Sequence, residues 1–224
     1  MKQRFRSILA IVQAGTMAVL MVASASCQNS QTPGTNAQAK AFLDQLELKS
    51  PPYWQSDTKG NLIKVWLSWK EANDTNLALL STVGSIQELG MRPQRHGLGG
   101  LTREGFSSLK QLTNLTKLNV GCIFEMPPGM FEEICQLKGL RSLTLYGAFP
   151  PKKAEYENLK RLTNLEELRM SYCANFGGQE LGWLTNLTHL KSLELPVYSG
   201  SKADTNVLSC LKNLTNLDVQ FWKK

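Results

Sequence analysis

The chain has 224 residues, 42% hydrophobic and 19% charged, an ordinary globular composition with ample apolar material for a core. Its formal charge of +7 falls to +4 once Lys2, Arg4 and Arg6 of the N-terminal segment are set aside. A surplus that small, interspersed with acids, excludes nucleic acid as an expected partner on electrostatic grounds.

The first segment opens with those three cations and continues with an apolar run from Ile8 to Val22 that is broken only by Gln13, Gly15 and Thr16. It ends in Ala23-Ser24-Ala25-Ser26 before Cys27. This is the order of a secretory signal. The apolar run, about 15 residues, is shorter than the roughly 20 that a permanent membrane-spanning helix needs. The small residues leading to Cys27 resemble the lipobox of bacterial lipoproteins. That resemblance implies a diacylated Cys27 as the mature N-terminus, although Ser24 stands where those proteins usually carry an aliphatic residue. Cleavage after Ala25, giving a secreted protein, is the alternative. Polar residues 28–40 read as a flexible tether, and Gln28 after the cysteine resembles lipoproteins sent on to an outer membrane. The expected division is therefore a signal at 1–26 and a tether at 27–40, with lipidation at Cys27.

Residues 41–61 come next as an expected N-terminal cap, with Phe42, Leu43, Leu46 and Leu48 on one helix-like face and Pro51-Pro52-Tyr53-Trp54 behind them. From 62 to 224 the chain repeats itself. Seven segments fit L-x-x-L-x-L with aliphatic substitutions, beginning at Leu62, Ile86, Leu115, Leu140, Leu165, Leu190 and Leu214, spaced 24, 29, 25, 25, 25 and 24 residues apart. Before the strands, apolar residues three apart recur as Leu109-Leu112, Ile134-Leu137, Leu159-Leu162, Leu184-Leu187 and Leu208-Leu211. Phe106, Phe131, Tyr156 and Leu181 recur every 25 residues. Spacing by three on one side and by two on the other predicts a short helical turn followed by a short strand in each unit. No unit can bury both apolar edges alone, so stacking makes one cooperative core.

This pattern resembles the leucine-rich-repeat family, bacterial exported type, over about three-quarters of the chain. Thr102-Arg103-Glu104-Gly105-Phe106 and the recurrent Leu-Thr-Asn-Leu carry the likeness to the bacterial repeats. The implied fold is an α/β solenoid of about seven repeats of 24–29 residues, with parallel strands on the concave face. The family's asparagine or cysteine ladder after the strand falls here on Lys70, Gln94, Ile123, Ala148, Cys173, Tyr198 and Trp222, of which Cys173 alone conforms. Backbone groups in that turn must find other partners, and a looser curve is expected. Asn73, Asn114, Asn186 and Asn213 begin glycosylation-like sequons, three of which arise from the repeat itself.

Signs of catalysis are scarce, and no enzyme, cofactor or metal site is expected. His189 lies on a repeat turn where polar residues usually face water, and His96 lies in the loop containing Gly97-Leu98-Gly99-Gly100. That loop lacks the ending of a phosphate loop. At a strand spacing of about 4.8 Å, Cys122 and Cys173 lie about 10 Å apart and Cys135 and Cys210 about 14 Å, too far for disulfides.

Binding chemistry is better placed. In a leucine-rich-repeat solenoid the third, fifth, seventh and often eighth positions of each unit face the concave side. Tyr146, Arg169 and Tyr172 form a central aromatic and cationic patch there, a composition enriched at binding hot spots. Glu167, Glu194 and Asp218 gather acids beside it, read as a solvated face in which Arg169 pairs with Glu194. Trp66, Trp69 and Arg92 complete the expected ligand-binding residues at the other end. The function expected is non-catalytic protein binding at the cell envelope. The alternatives are adhesion or a host-directed role, and a glycan-binding or envelope-remodelling accessory in which Trp66, Trp69 and Tyr146 stack on sugars. The C-terminal strand edge is a possible interface, with a monomer minimally capped by Trp222, Lys223 and Lys224 preferred.

Overall fold

A computed structural model describes Ala41, Asp44 and residues 53–222, apart from 69, 93–99, 122–125, 127, 148–152, 173–177 and 199–204. The signal, the tether, Cys27, the apolar face of the cap and Trp69 lie outside the described residues.

One eight-stranded sheet runs in chain order, from β1 (Trp54–Ser56), β2 (Leu62–Leu67), β3 (Glu88–Met91) and β4 (Lys117–Gly121) to β5 (Ser142–Tyr146), β6 (Glu167–Ser171), β7 (Ser192–Tyr198) and β8 (Asn216–Trp222). Strands β2 to β8 are the seven repeats, all parallel, with Val65, Leu89, Leu118, Leu143, Leu168, Leu193 and Leu217 in one register row. Because side chains alternate along a strand, that row shares a face with Leu67, Met91, Val120, Leu145, Met170 and Leu195. All of these whose burial is described are buried except Leu217, which is 46% exposed. The fold is therefore the α/β leucine-rich-repeat solenoid that the periodicity predicts. The antiparallel strand β1, paired to β2, was not legible in the Pro51-Pro52-Tyr53-Trp54 stretch.

The opposite side consists of short helices: Asp74–Ser81, Arg103–Ser108 and Met130–Ile134 are α-helical, Lys153–Arg161 and Gly178–Asn186 are 3₁₀, and Thr205–Ser209 is α-helical again. The every-25 residues Phe106, Phe131, Tyr156 and Leu181 lie within these helices and are all buried, and the Phe131 and Tyr156 rings meet edge-on with centroids 5.4 Å apart. Side-chain caps start the first two helices, Asn73 accepting from the Asn76 amide and Thr102 from the Glu104 amide. Among the described residues, Glu133 is the buried charge on this side. Burial raises its pKa, but hydrogen bonds from Lys110 and Arg103 and their positive charges outweigh that and hold its carboxyl below the ordinary value. Arg103 Nε lies 2.9 Å and Lys110 Nζ 2.5 Å from its oxygens.

Side-chain rungs onto the backbone come from the turn before the strand. Asn114 Nδ2 donates to the Gly84 carbonyl at 2.7 Å, Asn164 to Lys138 at 3.0 Å and Asn213 to Thr188 at 2.8 Å. His189 sits at the same repeat position, its Nδ1 3.0 Å from the Thr163 carbonyl. Each donor precedes a repeat's first leucine, and each acceptor lies two before the preceding repeat's. This corrects the expectation that His189 merely faces water. It also commits the amides of Asn114 and Asn213 to the fold rather than to a sugar. One step along, Glu166 bridges Arg141 and Lys191, the latter at 2.6 Å, tying the fourth, fifth and sixth repeats by charge.

The Leu140 repeat departs from this pattern, because Gly139 occupies the donor position. A Cβ there meets only the Leu115 and Thr113 carbonyls, at 3.4 and 3.9 Å, which is ordinary contact. Gly139→Asn is therefore expected to add the rung onto Thr113 and to stabilise the chain by about 1 kcal/mol. A denaturation midpoint that falls would show that the turn does not accept the side chain.

Two further expectations concern the C-terminal repeats and the cysteines. Tyr198 and Trp222, assigned to turns after the strand, instead face each other in the ladder of β7 and β8. Strand β8 thus extends through Trp222, and Leu217 within it is exposed. Cys135 is a buried thiol and Cys210 an exposed one, in keeping with the distance argument, while Cys122 and Cys173 lie outside the described residues. Desolvation pushes the Cys135 thiol up to about 12, so it stays protonated and inert.

Candidate functional site

Opposite the leucine rows, the sheet presents its other face, and parallel register aligns its residues into rows. One row runs Lys64, Glu88, Lys117, Ser142, Glu167, Ser192 and Asn216; the next runs Trp66, Gly90, Asn119, Thr144, Arg169, Glu194 and Asp218. No intervening helix separates the residues of a row, so chemistry scattered over 24- to 29-residue intervals in sequence meets at strand spacing.

At the β2 end the Trp66 indole lies on the backbone of Gly90. A Cβ built on Gly90 comes within 2.4 Å of the ring, so glycine is required for this packing. The indole Nε1–H donates to Glu88 Oε1 at 3.1 Å, and Lys64 Nζ pairs with the same oxygen at 3.1 Å. The Arg92 guanidinium sits over the Tyr53 ring, 4.9 Å from its centroid. Gly90 and Tyr53 were missed in the sequence. The signal for Gly90 was its place in register with Trp66, 24 residues on.

In the middle, Tyr146 at the end of β5 and Tyr172 just after β6 pack against each other, ring centroids 5.0 Å apart and planes 57° apart. They remain 39% and 53% exposed. The pair thus packs between neighbouring repeats and stays exposed to solvent. Tyr172 has a backbone φ of 54°, a left-handed conformation that bulky residues adopt rarely. Its counterpart one repeat earlier is Gly147, with φ of 62°. The turn after the strand thus takes a left-handed residue in both repeats. Glycine meets that without strain, whereas tyrosine holds it at a steric cost of roughly 1–2 kcal/mol.

Arg169 stands between this pair and the acids. Its Nε pairs with Glu167 Oε1 at 2.7 Å, and Ser142 Oγ donates to the other Glu167 oxygen at 2.8 Å. The expected Arg169–Glu194 pair is thus corrected. The guanidinium runs along its own strand to a carboxylate that Ser142 holds in place, while Glu194 accepts from the Ser171 hydroxyl. Asp218 is exposed and lies beside Glu194 in register.

The structure therefore gathers Tyr146, Glu167, Arg169, Tyr172, Glu194 and Asp218 over β5 to β8. Trp66 stands apart on β2, about 19 Å from β6 at four strand spacings, and Arg92 just after β3, about 14 Å from it at three. No group of metal-ligating side chains occurs among the described residues, and none of their helices is long and apolar enough to cross a membrane.

No protein-family model matches the chain, and no curated protein matches its sequence. Solved structures similar to it are leucine-rich-repeat proteins. An internalin, InlF, of Listeria monocytogenes is 15% identical with a TM-score of 0.47, over 78% of this chain and 55% of its own. The ectodomain of the Arabidopsis receptor kinase HAESA, in complex with an N-terminally extended IDA peptide hormone, is 18% identical with a TM-score of 0.45, over 84% of this chain. The chain spans 38% of that ectodomain. Internalin C2 of Listeria monocytogenes is 18% identical with a TM-score of 0.41, over 66% of this chain and 68% of its own.

Proposed function

We propose that the chain is a non-catalytic protein-binding module of the bacterial cell envelope, which holds its ligand on the open face of the sheet around Tyr146, Arg169 and Tyr172. The observation that carries this reading is Tyr172. A bulky residue held in left-handed backbone costs stability, and such strain persists mainly where function uses it. Here it holds an exposed aromatic ring against a second one beside an arginine, the residue types that anchor protein interfaces.

Around this module, residues 1–26 act as a signal, 27–40 as a tether, 41–61 as the N-terminal cap and 62–224 as the recognition array. A lipid on Cys27 holds the chain on the envelope, at the outer membrane. Radiolabelled palmitate is expected to enter the wild-type chain and not Cys27→Ala. Equal labelling, or a mature N-terminus at Ser26, removes the anchor and leaves a secreted protein.

Affinity purification of the full chain tests the binding reading. Arg169→Ala and Tyr172→Ala are each expected to weaken the captured protein by about 2 kcal/mol, roughly thirtyfold, without unfolding the array. Normal binding by both, with loss on Arg92→Ala, moves the site to the β2 end. A hit on a glycan array that depends on Trp66, with no protein captured, favours the sugar-binding accessory instead. If the captured protein comes from a host cell, the role is adhesion or host-directed.

A further inference from the structure

We infer that the open face grips its ligand by a carboxylate, seated on β4 and β5 between Lys117, Asn119 and Thr144 beside the tyrosine pair. The inference rests on the proposed binding face and adds the chemical group that the face recognises.

Polar groups on either side of this place are engaged with one another. Lys64 and the Trp66 indole both hold Glu88 at 3.1 Å, and Ser142 and Arg169 both hold Glu167, at 2.8 and 2.7 Å. Between them lie Lys117 and Asn119 of β4 with Thr144 of β5, half-buried residues whose side chains make no hydrogen bond or ion pair among the described residues. The Nδ2 of Asn119 is buried and has no acceptor. Folded chains keep few polar atoms in that condition, because each has lost its water without gaining a partner. Parallel register sets Asn119 beside Thr144 and Gly121 beside the exposed Tyr146, so the strand next to that tyrosine contributes no side chain there.

A carboxylate matches these groups in charge and in donors. Lys117 supplies one ammonium, Asn119 an amide and Thr144 a hydroxyl, and all three can donate to a pair of oxygens that only accept. Asn119 and Thr144 are neighbours at a strand spacing of about 4.8 Å. Lys117 lies about 6.6 Å along β4 from Asn119, within reach of its long side chain. A half-turn of the Asn119 amide exchanges Oδ1 and Nδ2, so an acceptor above β4 brings the donor out to the face. A cationic ligand group in this place would be repelled by Lys117, whereas a carboxylate gains hydrogen bonds strengthened by charge. The residue that carries it then lies over Gly121, against Tyr146. Either the end of a polypeptide or an acidic side chain can supply the group.

The test titrates the full chain with three N-acetylated hexapeptides that carry two phenylalanines before the last residue. The first ends in glycine with a free carboxylate, the second in glycinamide, and the third in aspartic acid with an amidated end. A carboxylate peptide is expected to bind about tenfold more tightly than the glycinamide peptide, and to lose that advantage in Lys117→Met and at high salt. An advantage of the first alone assigns the site to a chain end; one that the third shows assigns it to acidic side chains as well. Asn119→Leu should cut the advantage about fivefold while raising the melting temperature by about 2 °C or more, because it removes an unpartnered buried amide. A fall in melting temperature with the advantage intact overturns the place of Asn119 in the site. Equal affinity for the three peptides, binding of none, or an advantage that survives Lys117→Met overturns the carboxylate site. If Tyr172→Ala still weakens all three peptides alike, the binding face stands without it. Binding that is indifferent to Tyr172→Ala overturns the tyrosine face instead, and an advantage that still depends on Lys117 then keeps the carboxylate site.

Discussion

Tyr172→Gly is expected to weaken the captured partner about thirtyfold while the folded chain keeps its stability or gains about 1 kcal/mol. Most truncations of a contact residue leave open whether binding or folding was lost. Here the two effects have opposite signs. The backbone at 172 is left-handed, and one repeat earlier Gly147 holds the equivalent position at φ of 62°. Glycine therefore fits that turn by the chain's own example, and the substitution relieves strain that tyrosine imposes. The gain is partly offset by the greater freedom of glycine in the unfolded chain, worth about 0.4–1 kcal/mol. The ring lost is 53% exposed, so its removal opens no cavity, but it strips Tyr146 of its stacking partner and the face of an anchor. Calorimetry of the fold and of the complex separates the two effects. Unchanged affinity in a stable variant would mean that the strained tyrosine serves something other than this ligand.

Phe131→Ala is expected to destabilise the array by about 3–5 kcal/mol, a large share of the roughly 5–15 kcal/mol that holds a typical domain together. Phe131 is fully buried and meets the Tyr156 ring edge-on, so truncation leaves a cavity whose wall is a neighbouring repeat. Urea titration reads the loss directly. Because stacked repeats stabilise one another through their interfaces, the damage should spread to both sides of the third and fourth repeats. A shift below about 1 kcal/mol would show that the two aromatic rows are not the cement between repeats that their period suggests.

The apolar grammar of the fold was legible in the sequence because its periods, two in the strands and three in the turns, are dictated by geometry common to all copies. Phe106, Phe131, Tyr156 and Leu181 succeed one another at 25 residues and all reach the core. The polar rungs were harder to read. Asn114, Asn164 and Asn213 share a residue type that His189 lacks, and a donor is recognised only when its acceptor carbonyl is in view. Strand β1 left no alternation to detect over its three residues, which take their order from pairing with β2. At the site, the rows came from register alone, whereas the partners within them did not. Arg169 had two carboxylates in reach, Glu167 along its strand and Glu194 across the ladder, and the Ser142 hydroxyl that fixes Glu167 comes from 25 residues away. The left-handed turn at Tyr172 was hidden for a related reason, since tyrosine gives no hint of positive φ and only Gly147, in the matching place, betrays it.

The rungs in the turns also determine how such a chain can change its length. Each one joins a donor just before a repeat to a carbonyl of the repeat behind it, so residues 140–164 form a closed module that begins at a first leucine and ends on the donor for its successor. A tandem copy of that module finds its acceptor already in place and supplies the acceptor for the next repeat. It lengthens the sheet by one strand, about 4.8 Å, and leaves every other bond where it was. Growth or loss by whole modules therefore alters the reach of the open face without any redesign of the core, and that reach becomes a quantity that gene duplication can tune in single steps.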